Sequence, residues 1–318
     1  MKVGILGAGS IAGVVSGTLE QMPEIGCHAV ASRNIDKAKA FAKEHGYAKA
    51  YGSYEEMLED PEVELVYVAT PHSHHFEHMK LCIEHGKPAL CEKAFCENAR
   101  QAREIMRLSR EKKVYVSEAI WPRYMPSRKI INDALSSGII GKVYTLTANL
   151  SYPISHVERI LRPELAGGAL LDIGVYGINF MLMHFGEDID RIESSVRFTD
   201  TGVDADESIT VFYKDGRMAV LTHSIYPRSD RKGIFHGDKG YMVIENINNP
   251  SEINIYDTSD KLIEHIDVPH QISGYEYEFR ESIDRISGGF TESLSMPLEE
   301  SVKMLEIMDS VRQQWNKE

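Results

Sequence analysis

The chain has 318 residues, which is enough for about two domains and for a sizeable core without disulfide bonds. Its hydrophobic share of 42% and its charged share of 26% are ordinary for a folded globular protein and exclude wholesale disorder, collagen and coiled coil. With 35 Lys and Arg against 48 Asp and Glu, the formal net charge of −13 disfavours nucleic acid as a partner, because phosphate backbones would be repelled.

The cysteines and the N-terminal segment bear on location. Four cysteines without the paired spacing of a zinc site predict a reducing, cytoplasmic compartment. Residues 3–19 carry no charge, but five glycines interrupt them and no convincing cleavage site follows, so we expect neither a signal peptide nor a membrane partner.

Strands and helices alternate through the first third of the chain. Asn34 and Ser53 have the positions of helix caps. The predicted strands are 2–6, 28–31, 65–69, 89–91 and 114–117, and the predicted helices are 11–22, 36–45, a short one from 53, 73–85 and 98–112. This alternation predicts an α/β domain over 1–120 with a doubly wound parallel sheet.

The pattern changes after residue 120. A helix over 126–137 is followed by predicted strands at 144–150, 208–213, 218–224 and 241–245. An apolar helix over 170–185 interrupts these strands, and a charged amphipathic helix over 298–315 ends the chain. Successive strands predict a second, α+β domain over 121–318 with an open, mostly antiparallel sheet.

A glycine-rich turn follows the first strand. The segment Gly7-Ala-Gly9-Ser10-Ile11-Ala12 opens the first helix, where one glycine permits a tight turn and the next lets the backbone approach a pyrophosphate. A small third residue, here Ala12, allows the helix to pack closely on the strand. The sequence predicts dinucleotide binding at this turn, and the alternative is an ordinary tight turn.

The end of the second strand indicates which dinucleotide binds. Ser32, Arg33 and Asn34 stand where an NAD site usually has an acid for the ribose 2′-hydroxyl, and no acid occurs before Asp36. Arg33 offers a planar set of donors to a 2′-phosphate, with Lys37 as a second cation, so NADP is favoured and NAD is possible. The alternative is that Arg33 is a solvated loop residue.

Four histidines lie close together at residues 72, 74, 75 and 78. His74 and His78 have the spacing of a zinc-binding pair on a helix. A third ligand and a catalytic carboxylate are not apparent, so we expect no metal and favour a polar loop between strand and helix.

Further short motifs follow the glycine turn along the chain. They are Val68–Pro71 with His75, Gly86–Lys93, Glu118–Arg123 with Pro126, and Gly167–Tyr176. Together and in this order, these segments resemble the Gfo/Idh/MocA oxidoreductase family, and most closely its dimeric dihydrodiol dehydrogenase and NADP-dependent xylose dehydrogenase branch. Looser matches follow at 237–240 and 274–278. The family has Glu-Lys-Pro where this chain has Glu92-Lys93-Ala94, which relaxes the constraint on Lys93.

The resemblance implies a Rossmann domain followed by an open-faced domain that commonly forms the subunit interface, here of a dimer or tetramer. It implies Lys93 and Tyr176 as catalytic residues, and Trp121 and Arg123 as substrate residues together with Tyr176. Asp172, one helical turn from Tyr176 on the same face, is a further catalytic and substrate candidate, and Arg159 is a further substrate candidate. The candidate cofactor residues outside the glycine turn are Ser32, Arg33, Lys37, Thr70, Pro71, His72, His75, Glu92 and Lys93.

These residue types suit hydride transfer from an alcohol carbon. The hydroxyl proton must be removed by a base, and a tyrosine of ordinary pKa, ~10, becomes a better base beside an ammonium. The hypothesis is an NAD(P)-dependent oxidoreductase of a sugar, polyol or diol, in which Tyr176 exchanges the proton and Lys93 polarises the substrate oxygen, or the two exchange these roles. Asp172 either orients the substrate or binds its second hydroxyl. The alternatives are a non-catalytic sensor of the same family and a metal-dependent hydrolase.

Overall fold

The computed structural model describes residues 1–315, which fall into two compact units. The first contains Met1–Trp121 and Gln271–Leu305, and the second contains Pro122–His270 and the chain from Glu306. The sequence pattern places everything after residue 120 in one domain and gives no sign that residues 271–305 rejoin the first unit. That return depends on long-range packing, which periodicity does not encode.

The first unit is built on a six-stranded parallel sheet. The strands are β1 (Lys2–Leu6), β2 (Gly26–Ala31), β3 (Lys49–Tyr51), β4 (Leu65–Val68), β5 (Ala89–Glu92) and β6 (Val116–Ala119). Their order, β3-β2-β1-β4-β5-β6, reverses between β1 and β4, and ligands of such sheets bind at the carboxyl ends of the strands at this switch point. The predicted doubly wound sheet is confirmed.

Five helices of the first unit connect these strands. They are α1 (Ser10–Leu19), α2 (Ile35–Glu44), α3 (Tyr54–Leu58), α4 (His72–Glu84) and α5 (Ala99–Lys112). The Asn34 side chain accepts from the backbone N–H groups of Asp36 and Lys37, and Ser53 accepts from Glu56, so both predicted caps satisfy free donors at a helix start.

The second unit is built on an eight-stranded sheet. Its strands are β7 (Val143–Ser151), β8 (Ile189–Phe198), β9 (Asp204–Tyr213), β10 (Met218–Ser224), β11 (Gly233–Gly237), β12 (Gly240–Ile244), β13 (Glu252–Asp257) and β14 (Leu262–Asp267). The order is β14-β13-β12-β11-β7-β10-β9-β8, with β7 and β10 parallel and the other neighbours antiparallel. The predicted open, mostly antiparallel sheet is confirmed.

One face of this sheet is covered and the other is open. Ile209 and Leu221 are buried on the covered face, while Ser208 and Thr222 beside them are exposed. Strands β8, β11, β13 and β14 of this sheet were not predicted. In β8 and β14, charged residues dilute the apolar alternation that marks a half-buried strand.

The remaining helices are α6 (Pro126–Ser136), α7 (Val175–Phe185), α8 (Glu276–Ser287) and α9 (Leu298–Trp315). A π-helical turn, Leu170–Gly174, leads directly into α7. The helical stretch Pro163–Phe185 has the length and composition to cross a membrane, but 83% of its most apolar window is buried inside the protein. Such burial is typical of the core helix of a folded domain.

Candidate active site

The glycine turn lies at the switch point of the parallel sheet. Gly7 has a φ of +106°, and a Cβ there would come within 3.0 Å of the Ala69 carbonyl oxygen and of the Thr70 side chain. Helix α1 starts at Ser10 after Gly9, which provides no side-chain cap, so the first backbone N–H groups of the helix can serve an anionic ligand. The turn therefore fits the pyrophosphate of a dinucleotide.

The candidate 2′-phosphate residues stand at the end of β2. Arg33 and Lys37 are exposed, whereas Ser32 is buried and its hydroxyl accepts from the N–H group of Asn34 at 3.3 Å. Arg33 acts electrostatically on His78, whose pKa is lowered to about 4 chiefly by burial. The guanidinium thus belongs to the carboxyl edge of the sheet, where it remains accessible.

His75 links the loop after β4 to the loop after β5. Its ring nitrogens lie 2.7 Å from the Thr70 carbonyl oxygen and 2.8 Å from the Ala94 carbonyl oxygen. Burial lowers the pKa of His75 to about 4, so the ring is neutral at pH 7 and donates only one of these two hydrogen bonds. His75 is fully buried and His72 is nearly so. Both side chains therefore pack inside the first unit and support the loops at the carboxyl edge of its sheet.

Glu92 is the last residue of β5 and Lys93 follows it. The buried Glu92 carboxylate accepts from the Tyr67 hydroxyl and, at 3.1 Å, from the backbone N–H of Lys93, which holds the start of the Lys93 loop. The peptide bond between Lys93 and Ala94 is cis. Lys93 itself is partly exposed at the same carboxyl edge as the glycine turn.

A further acid in the first unit was not predicted as a site residue. Glu278 on α8 is fully buried, and within residues 1–315 neither of its carboxyl oxygens has a hydrogen-bond partner. Burial, followed by the charge of Glu92, raises the pKa of Glu278 well above its usual range. The buried Glu278 carboxyl therefore holds its proton more strongly than an exposed glutamate does.

In the second unit, Asp172 and Tyr176 lie on the helical segment that leads from the π-helical turn into α7. Asp172 is nearly buried, and its Oδ1 accepts from the Arg159 guanidinium at 3.0 Å. Tyr176 is only 9% exposed. Irregular π turns of this kind occur frequently at functional sites.

Trp121 and Arg123 have well-defined partners in their own units. Trp121 stacks on Tyr275 with ring centroids 4.3 Å apart, and its buried indole N–H has no acceptor within the described residues 1–315. Arg123 is 2% exposed and donates to the Asn179 side chain at 2.6 Å, three residues after Tyr176 in α7. Tyr275 and Asn179 were not predicted as site residues, because only the fold brings them to these partners.

One group in the described part of the chain has the spacing of metal ligands, and it is not the histidine cluster. Ligand atoms of His28, Asp60 and Glu62 lie within 4.8 Å of one another. The Lys49 ammonium lies 3.0 Å from a carboxylate oxygen of both Asp60 and Glu62, and Lys2 pairs with Glu62 as well, so two cations of the chain itself balance the two acids. Ion pairing accounts for this group.

A parallel sheet of this strand order, with a glycine turn and an uncapped helix start at its switch point, defines a dinucleotide-binding protein. Residues 1–120 match the model of an oxidoreductase family with an NAD-binding Rossmann fold, and residues 129–243 match that of the GFO/IDH/MocA C-terminal domain. The chain belongs to the Gfo/Idh/MocA oxidoreductase family, as its sequence motifs predict.

Similar proteins cover nearly the whole chain. Trans-1,2-dihydrobenzene-1,2-diol dehydrogenases from Mus musculus and Xenopus tropicalis are 33% and 35% identical, each over 98% of this chain and 96% and 97% of their own. The 3-ketoreductase KijD10 from Actinomadura kijaniata, in complex with NADP and TDP-benzene, is 25% identical with a TM-score of 0.91, over 98% of this chain and 97% of its own. The chain is thus an NAD(P)-dependent dehydrogenase or reductase, and the predictions of enzyme class and nicotinamide cofactor are confirmed.

Proposed function

We propose that this enzyme uses NADP to transfer a hydride to or from the CH–OH carbon of a trans-dihydrodiol, sugar or polyol. The observation that carries the proposal is the uncapped start of α1 behind Gly7 and Gly9, at the same sheet edge as Lys93. The dihydrodiol class is favoured by relatives of that name at 33–35% identity over nearly the full chain.

In this proposal, Tyr176 takes the hydroxyl proton during oxidation and returns it during reduction. Lys93 donates a hydrogen bond to the substrate oxygen as negative charge builds on it. Asp172 accepts from a second hydroxyl, with its carboxylate held in place by Arg159. When bound, the nicotinamide supplies the hydride acceptor or donor, and these residues supply proton transfer and orientation.

Trp121 has a distinct part in the same proposal. Its indole N–H is buried without an acceptor within residues 1–315, and a substrate hydroxyl would supply one. Stacking on Tyr275 fixes the direction of that N–H, because a stacked ring cannot rotate freely. Arg123 donates a hydrogen bond to the Asn179 side chain and thereby anchors α7.

Cofactor preference is tested by titrating the protein with NADPH and NADH while following nicotinamide fluorescence. Arg33→Ala should weaken NADPH binding at least about tenfold, or ~1.4 kcal/mol, and leave NADH binding nearly unchanged. Lys39→Ala, an exposed lysine on α2, is the matched control. Equal or tighter binding of NADH by the unaltered protein contradicts the assignment of Arg33.

The substrate class is tested by screening trans-dihydrodiols, aldoses and anhydro-ketoses with NADP or NADPH and following the absorbance of the reduced nicotinamide. Turnover of a dihydrodiol above all aldoses supports the favoured class. Tight NADPH binding without turnover of any compound would instead indicate a non-catalytic sensor. Loss of turnover on chelation would favour a metal enzyme.

We further infer a homo-oligomer in a reducing, cytoplasmic compartment. All four cysteines are free thiols, and three of them are buried. The open face of the eight-stranded sheet, which includes Ser208 and Thr222, is the surface by which the family resemblance implies a dimer or tetramer. Light scattering after gel filtration measures the oligomeric state, and a monomer at micromolar concentration contradicts this part.

A further inference from the structure

The helix that carries Tyr176 covers a buried polar pair on the sheet. Glu207 on β9 and His223 on β10 are direct neighbours in the antiparallel register. Glu207 Oε1 and His223 Nδ1 lie 2.8 Å apart, and both side chains are completely buried. None of the motifs in the sequence indicates this pair.

Two glycines on either side of Tyr176 make room for the pair. A methyl group on Gly174 would overlap Glu207 Oε1, and a methyl group on Gly177 would overlap His223 Nε2. Because helical residues three apart share a face, Gly174 and Gly177 turn the same side of the helix to the sheet. Any larger residue at either position would push the segment that carries Tyr176 away from the sheet.

The pair is not a fully satisfied structural network. In the described residues, neither Glu207 Oε2 nor His223 Nε2 has a hydrogen-bond partner. Apolar residues of the same size would fill the space without leaving polar atoms unsatisfied, so stability alone does not account for the pair. The pair instead fixes the orientation of the His223 ring, because a hydrogen bond to a buried carboxyl group holds the imidazole in one position.

Other charged groups surround the same segment. The Asp204 carboxylate accepts from the backbone N–H of Leu170 at 2.5 Å, where the π-helical turn begins. Burial raises the pKa of Glu207, and its hydrogen bond with His223 partly offsets this rise. Asp204 thus holds one end of the π-helical turn, and the Glu207–His223 pair lies beneath its other end.

We propose that Glu207 and His223 are positioning residues of the hydride-transfer reaction, which set how closely Gly174 and Gly177, and with them Tyr176, approach the sheet. This inference rests on the proposed function, because it gives Tyr176 a catalytic part. A displacement of about 1 Å at a reacting group can cost ~100-fold in rate. A small change in the packing of Gly174 and Gly177 on the pair can therefore lower kcat, although neither Glu207 nor His223 contacts the substrate.

A double-mutant cycle tests the contact between Gly177 and His223. We expect Gly177→Ala and His223→Ala each to lower kcat at least tenfold, with the KM for NADP unchanged. The double variant should recover at least threefold in kcat over Gly177→Ala, because the added methyl group then enters the space left by the imidazole. Gly17→Ala on α1, where an added Cβ meets nothing within 4 Å, is the control and should keep wild-type turnover.

The cycle has a clear contrary result. Wild-type kcat in His223→Ala, or effects of the two substitutions that simply multiply in the double variant, would overturn the positioning role. The assay uses trans-1,2-dihydrobenzene-1,2-diol and NADP with the full chain. The midpoint of thermal unfolding and NADPH binding are measured for every variant, so that a misfolded variant is recognised.

Substitutions at Glu207 separate positioning from packing. Glu207→Gln keeps the shape and a hydrogen-bonding group, and should retain most of the wild-type kcat. Glu207→Leu should lower kcat at least tenfold without lowering the midpoint of thermal unfolding, whereas a purely structural role would move both together. Retained kcat in Glu207→Leu overturns this inference alone. A wild-type chain that binds NADPH but turns over no dihydrodiol, aldose or anhydro-ketose overturns the proposed function and this inference with it.

Discussion

The two units hold their candidate site residues in different ways. In the first unit, Gly7, Thr70 and Lys93 follow directly on the ends of neighbouring parallel strands, so that backbone geometry brings them to one edge. In the second unit, Asp172 and Tyr176 project from a helical segment whose position depends on side chains beneath it. A site made by strand ends depends on local spacing, whereas a site on a packed helix depends on contacts across the fold.

The two units also differ in how they accommodate buried acidic side chains. In the first unit, Glu92 has the Tyr67 hydroxyl and a backbone N–H as donors, and burial raises the pKa of the neighbouring acid Glu278. In the second unit, Glu207 has His223 as its partner in a fully buried pair. Buried acids therefore support both sites, but one lies beneath a loop and the other beneath a helix.

The largest expected effect is at Tyr176. Tyr176→Phe should lower kcat by ~10²–10⁴-fold, because it removes the group that exchanges the proton, and should leave NADPH affinity within about twofold. Steady-state kinetics and fluorescence titration measure the two quantities. Tyr213→Phe in the same unit, which removes a hydroxyl bonded to the Gly186 carbonyl oxygen, is the control. Unchanged turnover in Tyr176→Phe would remove this residue from the mechanism.

The next effect is a pH dependence of stability that belongs to the first unit. Burial lowers the pKa of His78 to about 4, so the unfolded chain, with an ordinary histidine pKa of ~6.5, binds the proton first as the pH falls. His78 therefore stabilises the fold less and less between pH 6.5 and 4.

The effect is measured as the difference in unfolding free energy between wild type and His78→Gln. The wild type should lose about 1–3 kcal/mol relative to the variant on acidification from pH 7 to pH 4. Because the other buried acids and His75 are common to both proteins, their titration cancels. A difference that stays constant with pH would show that His78 is not held neutral by burial.

A backbone change should act on the first site alone. Gly7→Ala places a Cβ 3.0 Å from the Ala69 carbonyl oxygen at a φ of +106°, so we expect NADPH affinity to fall at least about tenfold, or ~1.4 kcal/mol. Gly46→Ala is the matched control, because Gly46 also has a positive φ but an added Cβ meets nothing within 4 Å. Comparable losses of affinity in both variants would attribute the effect to general strain.

The smallest effect is expected at Arg159. Its ion pair with Asp172 is partly exposed and worth at most about 1 kcal/mol, so Arg159→Ala should raise the KM for substrate by roughly two- to fivefold and change kcat little. Arg162→Ala, which removes an exposed arginine paired with Glu158 and Glu164 in the same segment, should have no effect. A large fall in kcat for Arg159→Ala would instead indicate direct contact with the reacting atoms.

Local patterns along the chain are enough to predict the parallel unit and its dinucleotide turn. Strand, glycine turn and helix follow one another within the first 19 residues, and each is a local choice: an apolar run, a glycine with a positive φ, a helix start at Ser10. The caps at Asn34 and Ser53 are equally local, because the side chain and the N–H groups that it bonds are two or three residues apart. Family motifs added Lys93 and Tyr176 as candidates.

The residues that pack beneath those candidates come together only through long-range contacts of the fold. Residues 271–305 return to the first unit and bring Tyr275 against Trp121 and Glu278 near Glu92, across more than 150 positions of sequence. Glu207 and His223 meet through strand register, and they meet Gly174 and Gly177 through packing of helix on sheet. Sequence periodicity reports which face of an element is apolar, but it does not report which buried polar atoms will face each other, because that depends on how the elements pack.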